Sequence, residues 1–169
     1  MFAVASVPEV DNTITAIAPY QPIYSLPRYG VAAPKFLGYN QYGVLVDTNV
    51  VDVKLSCDPS LGEILPDGRL LASGTEGGKL TATWGNISTE LDVRIIISAS
   101  ISIRLDTVLC DALHPYKVEV NGTVGNNKIE ILAEALEWNS LDPAIATVNE
   151  QGEITGHTNG QTMIVGTLG

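Results

Sequence analysis

The 169-residue sequence predicts an all-β chain made of two tandem antiparallel β-sandwiches. Three observations predict it: an internal repeat of domain length, runs of strict apolar/polar alternation, and a high frequency of turn dipeptides between those runs. The repeat is gapless over its first part. Asp58-Pro-Ser-Leu-Gly-Glu-Ile-Leu-Pro-Asp-Gly-Arg-Leu70 aligns with Asp142-Pro-Ala-Ile-Ala-Thr-Val-Asn-Glu-Gln-Gly-Glu-Ile154 at a constant offset of 84. Asp-Pro falls on Asp-Pro, Gly68 on Gly152, and Leu61, Ile64 and Leu70 on Ile145, Val148 and Ile154. Glycine and proline impose backbone geometry that other residues do not replace freely, so their coincidence points to a shared turn. Further on, Gly78–Trp84 matches Gly160–Gly166 at an offset of 82. A period near 84 is the length of a small domain and too long for a solenoid repeat.

Each copy alternates with a period of two, as expected of half-buried strands. In the first, Val51, Val53 and Leu55 alternate with Asp52, Lys54 and Ser56. Leu80, Ala82 and Trp84 then alternate with threonines, and Leu91, Val93 and Ile95 with Asp92 and Arg94. In the second, Ile101, Ile103 and Leu105 behave likewise, as do Val118 and Val120 against Lys117 and Glu119. The turn signals are Asp67-Gly68, Gly77-Gly78, Gly85-Asn86, Asn121-Gly122, Gln151-Gly152 and Asn159-Gly160. Only residues 129–136, rich in Glu and Ala, have the composition for a turn or two of helix. The boundary falls near residues 97–101. The expected organisation is 1–13 as a strand or linker left from an upstream domain, 14–98 as a first sandwich and 99–169 as a second.

Composition excludes several classes of function. With 19 acidic and 9 basic residues the formal charge is -10. Phosphate binding needs a basic footprint that is absent, which argues against nucleic acid and anionic lipid as partners. No stretch reaches the roughly 18 apolar residues of a membrane span. Cys57 and Cys110 are too few for a disulfide scaffold and are not spaced as a metal or redox pair. They are either two separate buried thiols or one bridge between the sandwiches.

Reactive constellations are not visible, so no catalytic residue, metal or cofactor is implied. His114 and His157 fall in different sandwiches without ligand-spaced partners. Asp47, Asn49, Asp52 and Asp58 are rich in oxygen but lack the spacing of a calcium loop, and Asp106 and Asp111 read as turn carboxylates. Trp84 and Trp138 read as core. Residues 19–42 differ in texture: Pro19, Pro22, Pro27 and Pro34 accompany Tyr20, Tyr24, Tyr29, Tyr39 and Tyr42. The prolines favour edge strands and ordered loops. The tyrosines read first as a docking face for a further domain, with an aromatic platform for a glycan or ordinary local packing as the alternatives.

The second copy resembles bacterial Ig-like domains of group 2. The resemblance rests on Trp138, Ser140, Asp142-Pro143, Ala146-Thr147-Val148, Gly152 and Gly160-Gln-Thr162-Met-Ile164. It implies an immunoglobulin-like fold in which Trp138, Asp142, Pro143, Val148, Gly152, Gly160 and Ile164 are structural. The first copy looks like a divergent relative, with Gly62-Glu63-Ile64 in place of Ala-Thr-Val. Phe2-Ala-Val-Ala-Ser-Val-Pro, Leu26-Pro-Arg-Tyr-Gly30 and Phe36-Leu-Gly-Tyr-Asn-Gln-Tyr-Gly-Val-Leu-Val-Asp47 are similar to the region after the catalytic domain of secreted bacterial proteins related to phosphodiester glycosidases. That resemblance implies an exported parent (periplasmic, cell-surface or extracellular) whose catalytic residues lie upstream. It also makes the upstream domain the expected partner and spacing or docking the expected role.

Two expectations concern the joint and the end. The short connector 98–100 predicts an extended pair with a small, fairly rigid interface. The offset of 82 places Trp84 on Gly166, which predicts that the second sandwich lacks its last strand. Strand 161–167 would then be an open edge, prone to weak self-association with a strand such as 2–7.

Overall fold

The computed structural model describes residues 11–97, 100–103 and 107–168. Strand 2–7, Leu105, Asp106 and the connector residues Ser98 and Ala99 lie outside the described residues. The fold is all-β, with two sandwich-like units in tandem.

Among the described residues the first unit has ten strands: β1 (Ala16–Pro19), β2 (Ile23–Pro27), β3 (Val31–Ala32), β4 (Phe36–Tyr39), β5 (Leu45–Asp47), β6 (Lys54–Cys57), β7 (Glu63–Ile64), β8 (Leu70–Leu71), β9 (Gly78–Trp84) and β10 (Ile87–Ile96). One four-stranded sheet, in the order β2-β10-β9-β6, backs the unit. Two smaller sheets, β1-β4-β5 and β3-β8-β7, close over it. The alternating side chains meet between them. Leu26, Leu61, Leu70, Leu80, Leu91 and Val93 form one buried cluster, and Ile17, Phe36, Val50 and Ala82 a second. β10 sits between an antiparallel neighbour, β9, and a parallel one, β2. Gly85-Asn86 makes the two-residue turn of the β9–β10 hairpin, with Trp84 opposite Ile87.

Among the described residues the second unit has eight: β11 (Ser100–Ile103), β12 (Tyr116–Lys117), β13 (Val120–Val124), β14 (Asn127–Ile131), β15 (Leu136–Ser140), β16 (Ala146–Val148), β17 (Glu153–Gly156) and β18 (Ile164–Leu168). Sheets β11-β13-β14, β12-β17-β16 and β15-β18 surround Val118, Val120, Ile131, Leu136, Ala146 and Ile154.

The repeat read from the sequence is a repeat of hydrogen bonds. The carbonyl of Asp58 accepts from the amides of Leu61 and Gly62, and that of Asp142 from Ile145 and Ala146. The amide of Gly68 donates to Leu65 and that of Gly152 to Asn149, with φ of 85° and 72°. These are left-handed positions that an L side chain fits poorly. The offset of 84 also governs pairing beyond the matched residues. Ala16 faces Tyr39 as Ser100 faces Thr123, and Ala32 faces Leu70 as Tyr116 faces Ile154.

Several local expectations change. β18 keeps the offset of 84 opposite a β15 that stands at 83: Ser140 faces Ile164 as Cys57 faces Leu80, and Trp138 faces Gly166 as Leu55 faces Ala82. Trp84 therefore corresponds to Leu168 and not to Gly166. Gly78 opens a strand whereas Gly160 lies in a loop ahead of one, so the two glycines are not equivalents. Val51 is exposed and its strand begins only at Lys54, because Asp52 takes φ of 58° and breaks the extended run. Asn121-Gly122 is not a turn; it lies inside β13, and Gly125-Asn126 makes the hairpin. Residues 129–136 hold only the 3₁₀ turn Ala133–Ala135 between β14 and β15.

Candidate functional site

The five lead-in tyrosines do not converge on one surface. Tyr20, 64% exposed, and Tyr24, which packs on the first core, line a depression of about 280 Å³ with Gln21, Pro34 and Lys35. Tyr39 is half-buried on β4, and Tyr42 stands 74% exposed in the β4–β5 connection. Tyr29 lies elsewhere, at the seam between the two units.

That seam is built around the turn Pro27-Arg28-Tyr29-Gly30. The amide of Gly30 donates to the carbonyl of Pro27 at 2.9 Å, closing the turn, and the amide of Tyr29 donates to Ala72 at 2.8 Å. Tyr29 has φ of 62°, a conformation that costs a non-glycine residue roughly 1–2 kcal/mol and persists only when its surroundings hold it. Here they do. Its ring packs against the core of the second unit, and the Arg28 guanidinium lies over it, 4.7 Å from the centroid. Gly30 then forms a β-bridge with Ile131 of β14.

The second unit answers with a surface shaped for this turn. Pro27 lies against Gly122, where an added Cβ would stand 2.7 Å from the proline Cγ. Ile129 packs against the core of the first unit. Each unit thus lends one side chain to the other's core. At the rim, Arg69 joins Asp67 of its own turn and Glu130 of β14, both at 2.7 Å. The guanidinium pKa is raised first by Asp67 and then by Glu130, and the backbone and side-chain donors of Arg69 hold Asp67 below the usual carboxylate range.

The remaining candidate residues are used in turns and core. Asp47 caps the amide of Asn49, Asp58 accepts from Lys79, and Asp111 accepts from the amides of Leu113 and His114. His114 Nδ1 lies 3.1 Å from Asp111, and those contacts, the His114 side chain first, lower the Asp111 pKa. His157 Nε2 meets the Thr147 hydroxyl at 2.8 Å. Among the described residues no three His, Cys, Asp or Glu side chains group as metal ligands would. Cys57 and Cys110 are separate thiols; burial, then Asp58 and Glu63, raise the pKa of Cys57.

In the second unit Trp138 is half-buried against the core, and its indole N–H donates to Ala133 at 2.8 Å. Asp142 Oδ1 accepts from the amide of Ala144, spanning Pro143, while the amide of Asp142 donates to the Thr162 hydroxyl. Val148 and Ile164 pack on the same core. Gly152 lies against Ala133 and Trp138, and Gly160 against Ile145. The seam residues Gly122, Ile129 and Glu130 escape a sequence reading because their partners come from another unit, and no local pattern marks such a contact. The one available signal was the glycine in β13, an unfavourable strand residue unless something approaches closely.

The architecture is that of two Ig-like sandwiches joined by an interlocking seam. Residues 99–169 match the bacterial Ig-like domain (group 2), so the second unit is one such domain. No curated protein matches the chain. Among solved structures it is similar to surface layer protein SbsC, domains 4-9, with TM-score 0.45 and 14% identity over 92% of this chain and 31% of that one. It is also similar to SbsC domains 5-6, with TM-score 0.40 and 13% identity over 92% of this chain and 98% of that one. The chain thus spans about a third of the first of these structures.

Proposed function

We propose that the chain is a non-catalytic structural segment of an exported bacterial protein, lying at or beyond the cell surface. It spaces or docks a further domain of that protein, an upstream glycosidase-like domain by the resemblance of residues 2–47. The observation that carries the reading is the seam, in which Tyr29 and Ile129 are exchanged between cores and Gly30 bridges Ile131. A pair locked in this way holds its ends at a fixed separation, which suits a spacer. Small-angle scattering tests it: one narrow distribution of interdomain angles is expected, and a broad one would remove the reading.

A second reading, glycan binding, has one observation in its favour, the depression shared by Tyr20 and Tyr24. Titration with soluble glycans discriminates. Saturable millimolar binding that disappears in Tyr24→Ala would replace the spacer with a carbohydrate module.

A further inference from the structure

The sequence holds two Asn-Gly pairs, Asn121-Gly122 and Asn159-Gly160, and the fold treats them in opposite ways. An asparagine followed by glycine is set up for one intramolecular reaction. The main-chain nitrogen of the glycine can reach the side-chain carbonyl carbon of the asparagine and close a succinimide ring. Glycine eases this, because it has no Cβ to obstruct the approach and leaves the backbone free to rotate. What decides the outcome is whether the surrounding structure lets that nitrogen leave its place.

At Asn121-Gly122 it does not. β13 is the middle strand of β11-β13-β14, so Asn121 lies between Ser102 and Glu130, and Gly122 between Ile101 and Ile129. Gly122 is buried, with Pro27 of the first unit against it. Ring closure there needs the centre of a sheet and the seam to open first. Asp67-Gly68, the acidic relative of such a pair, is held as well. Gly68 donates to Leu65, and both carboxylate oxygens of Asp67 accept from Arg69.

Asn159-Gly160 lies in the loop between β17 and β18, and both residues are exposed. Among the described residues the Gly160 amide donates to no main-chain carbonyl. The loop is fixed just before the pair. His157 and Thr158 donate their amides to the Ile145 carbonyl at 2.8 and 3.4 Å, and the Thr158 hydroxyl donates to that of Ala144 at 2.9 Å. Residues 157 and 158 thus strap down the turn that starts at Asp142, and the Asn-Gly pair follows directly on the strap.

We propose that Asn159 is a self-modifying site whose only co-reactant is water. The Gly160 nitrogen gives up its proton and attacks Cγ of Asn159. The new N–Cγ bond replaces the Cγ–Nδ2 bond, and Nδ2 leaves as ammonia with that proton. Water then opens the succinimide. Cleavage of the new N–Cγ bond gives aspartate, and cleavage of the original peptide bond between Asn159 and Gly160 gives isoaspartate. One water is consumed and one ammonia released, with no change of oxidation state. Either product adds a negative charge to a chain already at -10. Isoaspartate also runs the main chain through one extra methylene immediately after Thr158, and so slackens the strap on Ala144 and Ile145.

The test ages the whole chain in mildly alkaline buffer made with heavy-oxygen water, which labels carboxylates formed during ageing and not those formed in later digestion. Peptide mass spectrometry then reads each site. Conversion at Asn159 is expected to outrun that at Asn121 by at least about tenfold, since Asn121 reacts only through opening of a paired strand. In guanidinium chloride, with the chain unfolded, the two rates are expected to converge. Comparable rates in the folded chain would overturn the inference. So would a difference that persists unchanged on unfolding, which would trace it to neighbouring residues and not to the fold. Amide hydrogen exchange at His157 and Thr158 is expected to quicken in the aged chain and not in aged Asn159→Gln, whose longer side chain disfavours the ring. Equal exchange in the two aged proteins would overturn the slackened strap.

Discussion

The two units place the same hydrogen-bonded turns 84 residues apart and nevertheless fill their cores to different extents. The large side chains that are fully buried among the described residues (Phe36, Leu26, Leu61, Leu70, Leu80, Leu91, Val93 and Pro27) all belong to the first. In the second, Trp138, Val148, Ile164 and Leu168 reach their core only half-buried. The difference follows β10, which covers β9 and contributes two of those side chains itself. Backbone turns, set by Asp-Pro and Asx-Gly geometry, are thus separable from how deeply the side chains between them are buried. Burial is the larger energetic term: a fully buried leucine is worth roughly 1.5–3 kcal/mol relative to exposure.

The largest expected effect breaks the first core. Leu91→Ala should cost about 2–5 kcal/mol, whereas Leu168→Ala in the second unit should cost less than half as much. Each unit carries one tryptophan, so denaturant unfolding followed in Trp84→Phe and Trp138→Phe backgrounds separates the two. Equal costs would abolish the contrast. Next comes the seam: Gly122→Ala, which pushes a methyl group into Pro27, should cost about 1–3 kcal/mol. It should also divide a coupled calorimetric transition into two; a single unchanged transition would mean that the seam does not couple the units. Arg69→Ala removes an exposed pair and should cost only about 0.5 kcal/mol, vanishing in high salt.

The smallest effect distinguishes the two equivalent turns, 27–30 and 111–114. The first is closed by a backbone bond from Gly30 to Pro27, and the second by the Asp111 carboxylate. Because the Asp111 pKa is lowered in the folded chain, its contribution is present above the unfolded value and is lost as pH falls through the lower folded one. Amide exchange at Leu113 should therefore accelerate in acid, below the usual carboxylate range, while that at Tyr29 should not. Parallel acceleration at both would break the distinction.

Fold class was legible because its signals are local. Leu80-Thr-Ala-Thr-Trp84 and Leu91-Asp-Val-Arg94 declare a face by alternation, and Asp67-Gly68 with Gln151-Gly152 declare turns by backbone need. Val51 misled, since alternation continued through Asp52 while the backbone did not. Asn121-Gly122 misled for the opposite reason: its glycine answers a proline ninety-five positions earlier in the chain, and no window of sequence contains both. The tyrosines were legible as a group by composition only. Their dispersal, with Tyr29 in the seam and Tyr20 beside Tyr24, depends on where each strand of the lead-in pairs.

The parallel pairing of β2 with β10 also bears on how the chain would carry mechanical load. Backbone tension transmitted from the second unit pulls on Ile96, the last residue of β10. That strand is bonded to β9 over Ile87–Val93 and to β2 over Asp92–Ile96, the two pairings overlapping at Asp92 and Val93. Moving it along its own axis strains the parallel pairs with β2 next to the load and, through the same backbone, the antiparallel pairs with β9 beyond them. Ile96 also lies opposite Pro27, the first residue of the turn that locks the units together. Force therefore enters the first unit at the place where the seam is anchored, and both resist it at once.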